Sequence, residues 1–164
     1  VVKSGKQWEV KLPGFSGKNY YALDSKGRIP IPPSIKEILS SNYSMKLVFV
    51  NDEFDNCLCA YPIDEWNKLI EKVKGMPQTS DAVKYYRRRV IGSAVECEID
   101  KQGRVLIPSA LRVDAHLNDE VILMGQGHKI EIWDKKEYEN VADPSKLDKE
   151  TTKQYKNELS NHGL

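Results

Sequence analysis

One order of apolar and polar positions occurs twice along the chain. In the first half, Ile29 and Ile31 point to one face of an alternating strand, the short helix "PPSIKEILSS" follows, and residues 46–50 form an apolar strand. The second half has strand, turn and strand in "VECEIDKQGRVLIP", the short helix "PSALRVDA" and an apolar strand at 121–124. Each apolar strand has a predicted hairpin partner, at residues 56–61 and 130–133. Repeats of this size are typical of units that bury their apolar faces against each other.

Helical periodicity occurs between the halves and after the second half. Residues 62–76 place Trp66, Leu69, Ile70 and Val73 on one helical face. Residues 80–94 predict a second helix, with Ser80 or Asp81 as its N-cap. A further helix begins in "KKEYENV", and the polar tail from Asp143 is either a solvated helix or disordered.

The phrase that opens each half contains the candidate chemistry. It reads "LDSKGRIPIP" at residues 23–32 and "IDKQGRVLIP" at residues 99–108. Asp-x-x-Gly is a common hairpin turn, and its aspartate could simply hold the turn by pairing with the arginine. However, turn geometry does not require an arginine directly after the glycine in both copies. A guanidinium at a rigid hairpin tip can bind a phosphate or a guanine edge with two hydrogen bonds, and a two-stranded ribbon fits the major groove. The predicted DNA-binding residues are Asp24, Lys26, Arg28, Asp100, Lys101 and Arg104.

Composition limits the classes of function without choosing among them. The 164 residues are 40% hydrophobic and 30% charged, and the net charge of +1 neither favours nor opposes nucleic acid, so a basic binding surface must be local. No apolar run approaches the roughly 18–20 residues of a membrane span, and no signal-peptide pattern is present. The three cysteines are an odd number without framework spacing, which indicates a reducing cytoplasm.

Other candidate sites are weaker. Cys57, Cys59 and Cys97 could form a zinc site with His116 and His128, but the spacing of structural zinc sites is missing. Buried structural cysteines are therefore the favoured interpretation, and no metal or cofactor is expected. The sequence has no nucleophile elbow and no convergent catalytic set, so an enzyme is not expected. The basic run "KYYRRR" at 84–89 could contact phosphates, although a solvated helix face making inter-subunit ion pairs is the favoured interpretation.

The stretches "FSGKNYYALDSKGRIPIP", "ECEIDKQGRVLIPSALR" and "EVILMGQGHKIEIWD" together resemble the MraZ family of bacterial transcriptional regulators. The resemblance covers about residues 15–138. It implies an α+β, mainly β fold, in which two tandem AbrB-like swapped-hairpin units form one pseudo-symmetric β-barrel-like core with flanking helices. The implied divisions are an N-terminal extension at 1–14, a first unit at 15–66, connecting helices at 67–92, a second unit at 93–140 and a polar tail at 141–164.

The resemblance also implies a function. Its Asp-x-x-x-Arg loops match at Asp24 to Arg28 and at Asp100 to Arg104, and such loops read direct repeats in double-stranded DNA within a ring homo-oligomer. The expected role is a cytoplasmic, nucleoid-associated repressor of the division and cell-wall gene cluster, with no membrane partner. The alternative is an antitoxin-like AbrB-fold partner protein that binds and neutralises a toxin with its tail.

The two halves differ at positions that affect these expectations. Lys36 stands where the second half has Arg112, so the two short helices carry different cations at equivalent positions. Pro30 stands where the second half has Leu106, so the first strand lacks a ladder donor and is expected to be an edge.

Overall fold

A computed structural model describes residues 14–164, and the expected extension lies almost entirely outside the described residues. The described part before Lys135 forms one compact unit that ends at Asp134, and Lys135–Leu164 forms a second. None of the helices in the described range combines the length and the apolar character needed to cross a membrane.

The first unit contains an antiparallel six-stranded sheet and a separate two-stranded sheet. The strands are β1 (Lys18–Ala22), β2 (Arg28–Pro30), β3 (Lys46–Asn51), β4 (Leu58–Pro62), β5 (Val95–Glu98), β6 (Arg104–Leu106), β7 (Glu120–Gly125) and β8 (Ile130–Asp134). Six of them lie in the order β1, β7, β8, β4, β3, β5, so the sheet is open at β1 and β5 and is not a closed barrel. Among the described strands, β2 and β6 pair only with each other, which confirms that β2 is an edge at Pro30.

Pairing between the halves creates the interlocked arrangement that the swapped-hairpin fold predicts. Strand β1 of the first half pairs with β7 of the second, and β5 of the second half pairs with β3 of the first. The predicted hairpins β3–β4 and β7–β8 both form, and β4 and β8 join them into one sheet. The expected mixed fold of two tandem units is therefore confirmed, and neither half completes its sheet without the other.

Each repeated phrase contains the predicted turn, but the strands on either side of the turn do not continue as a hairpin ladder. Strands β1 and β2 belong to different sheets, as do β5 and β6. The reason is that each of these strands finds its ladder partner in the other half of the chain. Each phrase is therefore a corner between two sheets, not the tip of a β-ribbon.

The described residues form six α-helices. Four belong to the first unit, namely α1 (Pro33–Asn42), α2 (Ile63–Lys74), α3 (Asp81–Arg89) and α4 (Ser109–Asp114), and two belong to the second, namely α5 (Lys135–Ala142) and α6 (Lys149–Asn161). The Ser80 hydroxyl accepts a hydrogen bond from the Val83 N–H, which confirms serine as the N-cap of α3. Helix α3 ends at Arg89, before the predicted residue 94, and a 3₁₀ turn follows at Ile91–Ser93. Gly92 lies in that turn and has a poor helix propensity, which explains the early end. The tail contains the solvated helix α6, in which no residue is buried.

Strand β3 is buried on both faces and separates two apolar clusters. Leu47 and Phe49 belong to the main core, which includes residues of both halves. Val48 and Val50 lie on the opposite face, in a second cluster with Trp66 of α2 and with Val90. Because the main core contains residues of β2 and β6, the short two-stranded sheet is held firmly against the six-stranded one.

Candidate nucleic-acid interface

The first repeated phrase folds into a tight loop around the Asp24 carboxylate. Asp24 Oδ1 accepts hydrogen bonds from the N–H groups of Lys26 at 2.8 Å and Arg28 at 2.9 Å, and Oδ2 accepts one from Arg28 Nε at 2.6 Å. The Gly27 N–H donates to the Asp24 carbonyl at 3.0 Å. Gly27 has a φ of +85°, a conformation that glycine adopts without steric cost. The aspartate therefore fixes both the loop backbone and the guanidinium.

The second phrase repeats this geometry closely. Asp100 Oδ1 accepts from the N–H groups of Gln102 and Arg104, both at 2.9 Å, and Oδ2 accepts from Arg104 Nε at 3.1 Å. Gly103 has a φ of +77°. Arg104 also donates from Nη2 to Gln102 Oε1 at 3.4 Å, a weak bond that the first loop lacks among its described contacts. The predicted pairing of aspartate with arginine is thus present in both loops.

Both carboxylates are held in the charged form by their loops. The Arg28 N–H, together with the Arg28 side chain and the Lys26 N–H, outweighs desolvation and lowers the pKa of Asp24 to about 2. The Arg104 and Gln102 N–H groups and the Arg104 guanidinium lower the pKa of Asp100 in the same way. Each pair is half-exposed, so its main effect is to orient the arginine and only secondarily to stabilise the fold.

Strands β2 and β6 bring the two arginines onto one face. Arg28 lies opposite Leu106, and Pro30 lies opposite Arg104, so these four residues share the outer face of the short ribbon. Ile29 and Val105 point the other way and are buried. Diagonal neighbours of this kind lie roughly 7–8 Å apart. One subunit therefore presents two arginines side by side, which the sequence alone did not indicate.

The two loops are also connected through their backbones. The Ile31 N–H donates to the Gly103 carbonyl at 2.8 Å, and the Ile107 N–H donates to the Gly27 carbonyl at 3.0 Å. Each strand therefore leaves its own loop and immediately hydrogen-bonds to the other loop. This reciprocal pair of bonds fixes the relative position of Arg28 and Arg104.

Each short helix places a cation beside the opposite loop. The Arg112 guanidinium lies directly against Gly27, and Arg112 Nε donates to the Ile107 carbonyl at 3.0 Å. Its counterpart Lys36 approaches Gly103 with its ammonium group. The equivalence of Lys36 and Arg112 in the two halves was the sequence signal for this arrangement, but their approach to the opposite loop depends on the swapped topology.

The remaining cations differ in their exposure and in their contacts. The side chains of Lys26 and Lys101 are exposed in the two loops, where phosphate contacts are sterically accessible. Arg89, at the end of the basic run, donates from Nε to the Asp52 carbonyl at 2.9 Å and has a structural role within the chain. Arg87 and Arg88 are exposed in the last turn of α3, where their charges complement the helix dipole.

Comparison with known proteins gives consistent matches over both halves. The family model described as "MraZ protein, putative antitoxin-like" matches residues 15–88 and 90–158. The chain is 39% identical over 126 residues to the transcriptional regulator MraZ of Caldanaerobacter subterraneus subsp. tengcongensis, which covers 77% of this chain and 85% of that protein. It is 37% identical over 152 residues to the transcriptional regulator MraZ of Syntrophobacter fumaroxidans, covering 93% of this chain and 98% of that protein. The Pseudomonas putida F1 protein of the same name is 36% identical over 128 residues, or 78% of this chain and 85% of its own length.

Proposed function

The chain belongs to the MraZ family, and from this premise we propose that it is a sequence-specific DNA-binding regulator of transcription that reads direct repeats with its two Asp-x-x-x-Arg loops. The names of its relatives support the general role of transcriptional regulator. The proposed DNA-binding site consists of Lys26, Arg28, Lys101 and Arg104, which contact DNA, and of Asp24 and Asp100, which hold the arginines. The proposal assigns no catalytic role to any residue.

The observation that carries the proposal is the shared outer face of β2 and β6. Two arginines lie there roughly 7–8 Å apart, a separation close to two base-pair steps of about 3.4 Å each. In the described part of the chain, the guanidinium of Arg28 is hydrogen-bonded only through Nε, so its two terminal amino groups are left to bind a base or a phosphate. Asp24 and Asp100 have the role of orienting these guanidinium groups and do not themselves bind DNA.

Assembly is the second part of the proposal. With a net charge of only +1, one subunit has no general positive field, so affinity must come from several subunits that bind successive repeats. We propose a ring homo-oligomer, in which the pseudo-equivalent halves form head-to-tail contacts that close. Light scattering should give a mass far above 18.7 kDa, and a monomer at micromolar concentration would contradict this part.

The proposed target is the promoter of the division and cell-wall gene cluster, where the protein acts as a repressor. This assignment follows the family resemblance, as does the proposed location in the cytoplasm on the nucleoid. A reporter fused to the DNA upstream of the protein's own gene should become more active when the gene is deleted. Reduced activity after deletion would identify an activator instead.

A mobility-shift experiment on the protein's own upstream DNA tests the function directly. Wild-type protein should shift DNA that contains the direct repeats, and Arg28→Ala or Arg104→Ala should weaken this binding by roughly 1–3 kcal/mol per lost bidentate contact. Lys72→Ala is a matched control, because Lys72 is an exposed cation on α2 and its loss changes the charge equally. Failure of the wild-type protein to bind, or equal losses in all three variants, would contradict the proposal.

A second candidate is the antitoxin-like role. The description of the matching family includes this role. Helix α6 has no buried residue, so its surface is accessible to a partner protein. In that case the swapped strands are a scaffold and the tail binds a toxin. Deleting residues 143–164 would abolish neutralisation of a co-expressed ribonuclease toxin if this role applies, whereas it would leave loop-mediated DNA binding intact.

A further inference from the structure

Two thiols and two carboxylates converge on one face of the six-stranded sheet, away from the loops. Asp52, Cys57, Cys59 and Glu131 each offer a ligand atom within 4.8 Å of the others. Asp52 and both cysteines are buried, and Glu131 is half-buried. The set differs from the zinc site considered from the sequence, because neither histidine nor Cys97 belongs to it.

The sheet register explains why these residues meet. Cys59 on β4 lies directly opposite Glu131 on β8, so their side chains share a face. Cys57 precedes β4 by one residue and points to the same face as Cys59. Asp52 directly follows β3, and its N–H donates to the Cys57 carbonyl at 3.1 Å. Three neighbouring strands therefore supply the cluster.

Both carboxylates are oriented by hydrogen bonds from outside the cluster. Asp52 Oδ2 accepts from the N–H groups of Phe54 at 3.0 Å and Asp55 at 2.9 Å, while Oδ1 lies 3.5 Å from Cys59 Sγ. Glu131 Oε1 accepts from the Trp133 indole N–H at 2.9 Å. One oxygen of each carboxylate is thus held by hydrogen bonds from outside the cluster, and the other oxygen is available as a metal ligand. Outer hydrogen bonds of this kind orient the ligands of protein metal sites.

We propose that Asp52, Cys57, Cys59 and Glu131 bind a zinc ion with tetrahedral geometry. Zinc accepts mixed sulfur and oxygen ligands, and its bond lengths place tetrahedral ligand atoms about 3.3–3.8 Å apart. The 3.5 Å between Cys59 Sγ and Asp52 Oδ1 already matches this range. The other ligand atoms, all within 4.8 Å, need to approach by no more than about 1.5 Å.

Lys129 offsets part of the negative charge of the four ligands. Its ammonium group lies 3.5 Å from Cys59 Sγ and 4.0 Å from both Asp52 Oδ1 and Glu131 Oε2. Two thiolates and two carboxylates carry four negative charges, so a divalent ion leaves an excess of two, and the ammonium offsets one of these. A zinc ion that enters the site must therefore compete with this ammonium group for Cys59 Sγ and the two carboxylates.

Cys57 is a poor candidate for a reactive thiolate. The hydrogen bond with Cys59, followed by burial, raises the pKa of the Cys57 thiol well above its ordinary value. A metal ion must therefore displace the Cys57 proton when it binds, as is usual for thiolate sites. The bound ion would connect the β3–β4 loop to β8 and stabilise the loop carbonyls that Arg89 contacts.

Cobalt and zinc titrations of the full chain test the proposal. Cobalt should produce a thiolate-to-metal charge-transfer band that saturates at one equivalent, and zinc should displace it. Cys97→Ser is the matched control, since Cys97 lies on β5 outside the cluster, and it should bind as wild type does. Cys59→Ser should lose the band, and Glu131→Gln should bind at least tenfold more weakly.

Melting temperatures give an independent readout. Zinc should raise the melting temperature of wild-type protein and of Cys97→Ser, but not that of Cys59→Ser. If Cys59→Ser does not fold, Glu131→Gln supplies the comparison, because it removes one charge and preserves the side-chain shape. The absence of a cobalt band in wild type, equal binding by Glu131→Gln, or loss of binding in Cys97→Ser would each overturn the proposal.

Discussion

The glycines of the two loops allow a sharp comparison, because they share a backbone conformation but not their surroundings. An alanine at Gly27 or at Gly103 must adopt a left-handed conformation, with φ near +85° or +77°. Such a conformation costs a non-glycine residue about 1–2 kcal/mol. Both substitutions should therefore lower the free energy of unfolding by this amount.

Only Gly27→Ala creates a steric conflict as well. A Cβ at Gly27 would overlap the Arg112 guanidinium, whereas a Cβ at Gly103 would lie 3.5 Å from Lys36 Nζ, an ordinary contact. The Arg112 side chain can move, but it then loses the hydrogen bond from Nε to the Ile107 carbonyl. A bond of this kind contributes about 0.5–1.5 kcal/mol. Gly27→Ala should therefore be less stable than Gly103→Ala by about that difference.

Urea denaturation of both variants, together with thermal melts, measures the difference. In a chain of this size it corresponds to roughly 1–6 °C in melting temperature. In an Arg112→Ala background the conflict is absent, so the two alanine variants should become equally stable. Equal stability of Gly27→Ala and Gly103→Ala in the wild-type background would refute the close packing of Arg112 on the first loop.

Two further predictions concern the first loop and the ribbon. The Asp24 carboxyl should titrate near pH 2 by NMR, and because its pKa is lowered on folding, its contribution to stability is present above about pH 4 and is lost as the pH falls towards 2. The backbone N–H of residue 28 is the largest cause of the lowered pKa, and it is kept in Arg28→Gln, so this variant should still have an Asp24 pKa below 3.8. A return of the pKa to 3.8 would contradict the hydrogen-bonded loop. Ile29→Ala should cost about 2–5 kcal/mol in urea denaturation, because Ile29 is fully buried beneath the ribbon. Leu106→Ala, on the exposed face, should cost less than about 0.5 kcal/mol, and similar costs for both would place Ile29 outside the core.

Local patterns predicted most elements of the fold. The alternation around Ile29, the apolar strand at 46–50 and the helical face with Trp66 all appear as expected, because each is set by residues close in sequence. The partners of β1, β2, β5 and β6 were not predictable from periodicity, since they come from the other half of the chain. The resemblance supplied the swapped topology. The strand, turn and strand predicted in "VECEIDKQGRVLIP" are confirmed, although β5 and β6 then belong to different sheets.

The two loops could be predicted from the sequence more completely than the cluster around Cys59. The loops are local, so the repeated Asp-x-x-x-Arg phrase located all of the Asp–Arg pairs that the described residues form there. The side-by-side placement of Arg28 and Arg104 required the β2–β6 register. The cluster around Cys59 was missed because Glu131 reaches it through strand pairing from a distant part of the sequence.

If Arg28 and Arg104 read bases, as we propose, their loss must lower the specificity ratio of the protein. The ratio is the affinity for DNA with the direct repeats divided by the affinity for scrambled DNA, measured at one salt concentration for wild type and for the Arg28→Ala/Arg104→Ala double variant. Loss of two bidentate base contacts should reduce the ratio roughly 30-fold or more, while the affinity for scrambled DNA changes much less. An unchanged ratio, which means equal fold losses of affinity for both DNAs or no loss for either, would show that Arg28 and Arg104 do not read bases.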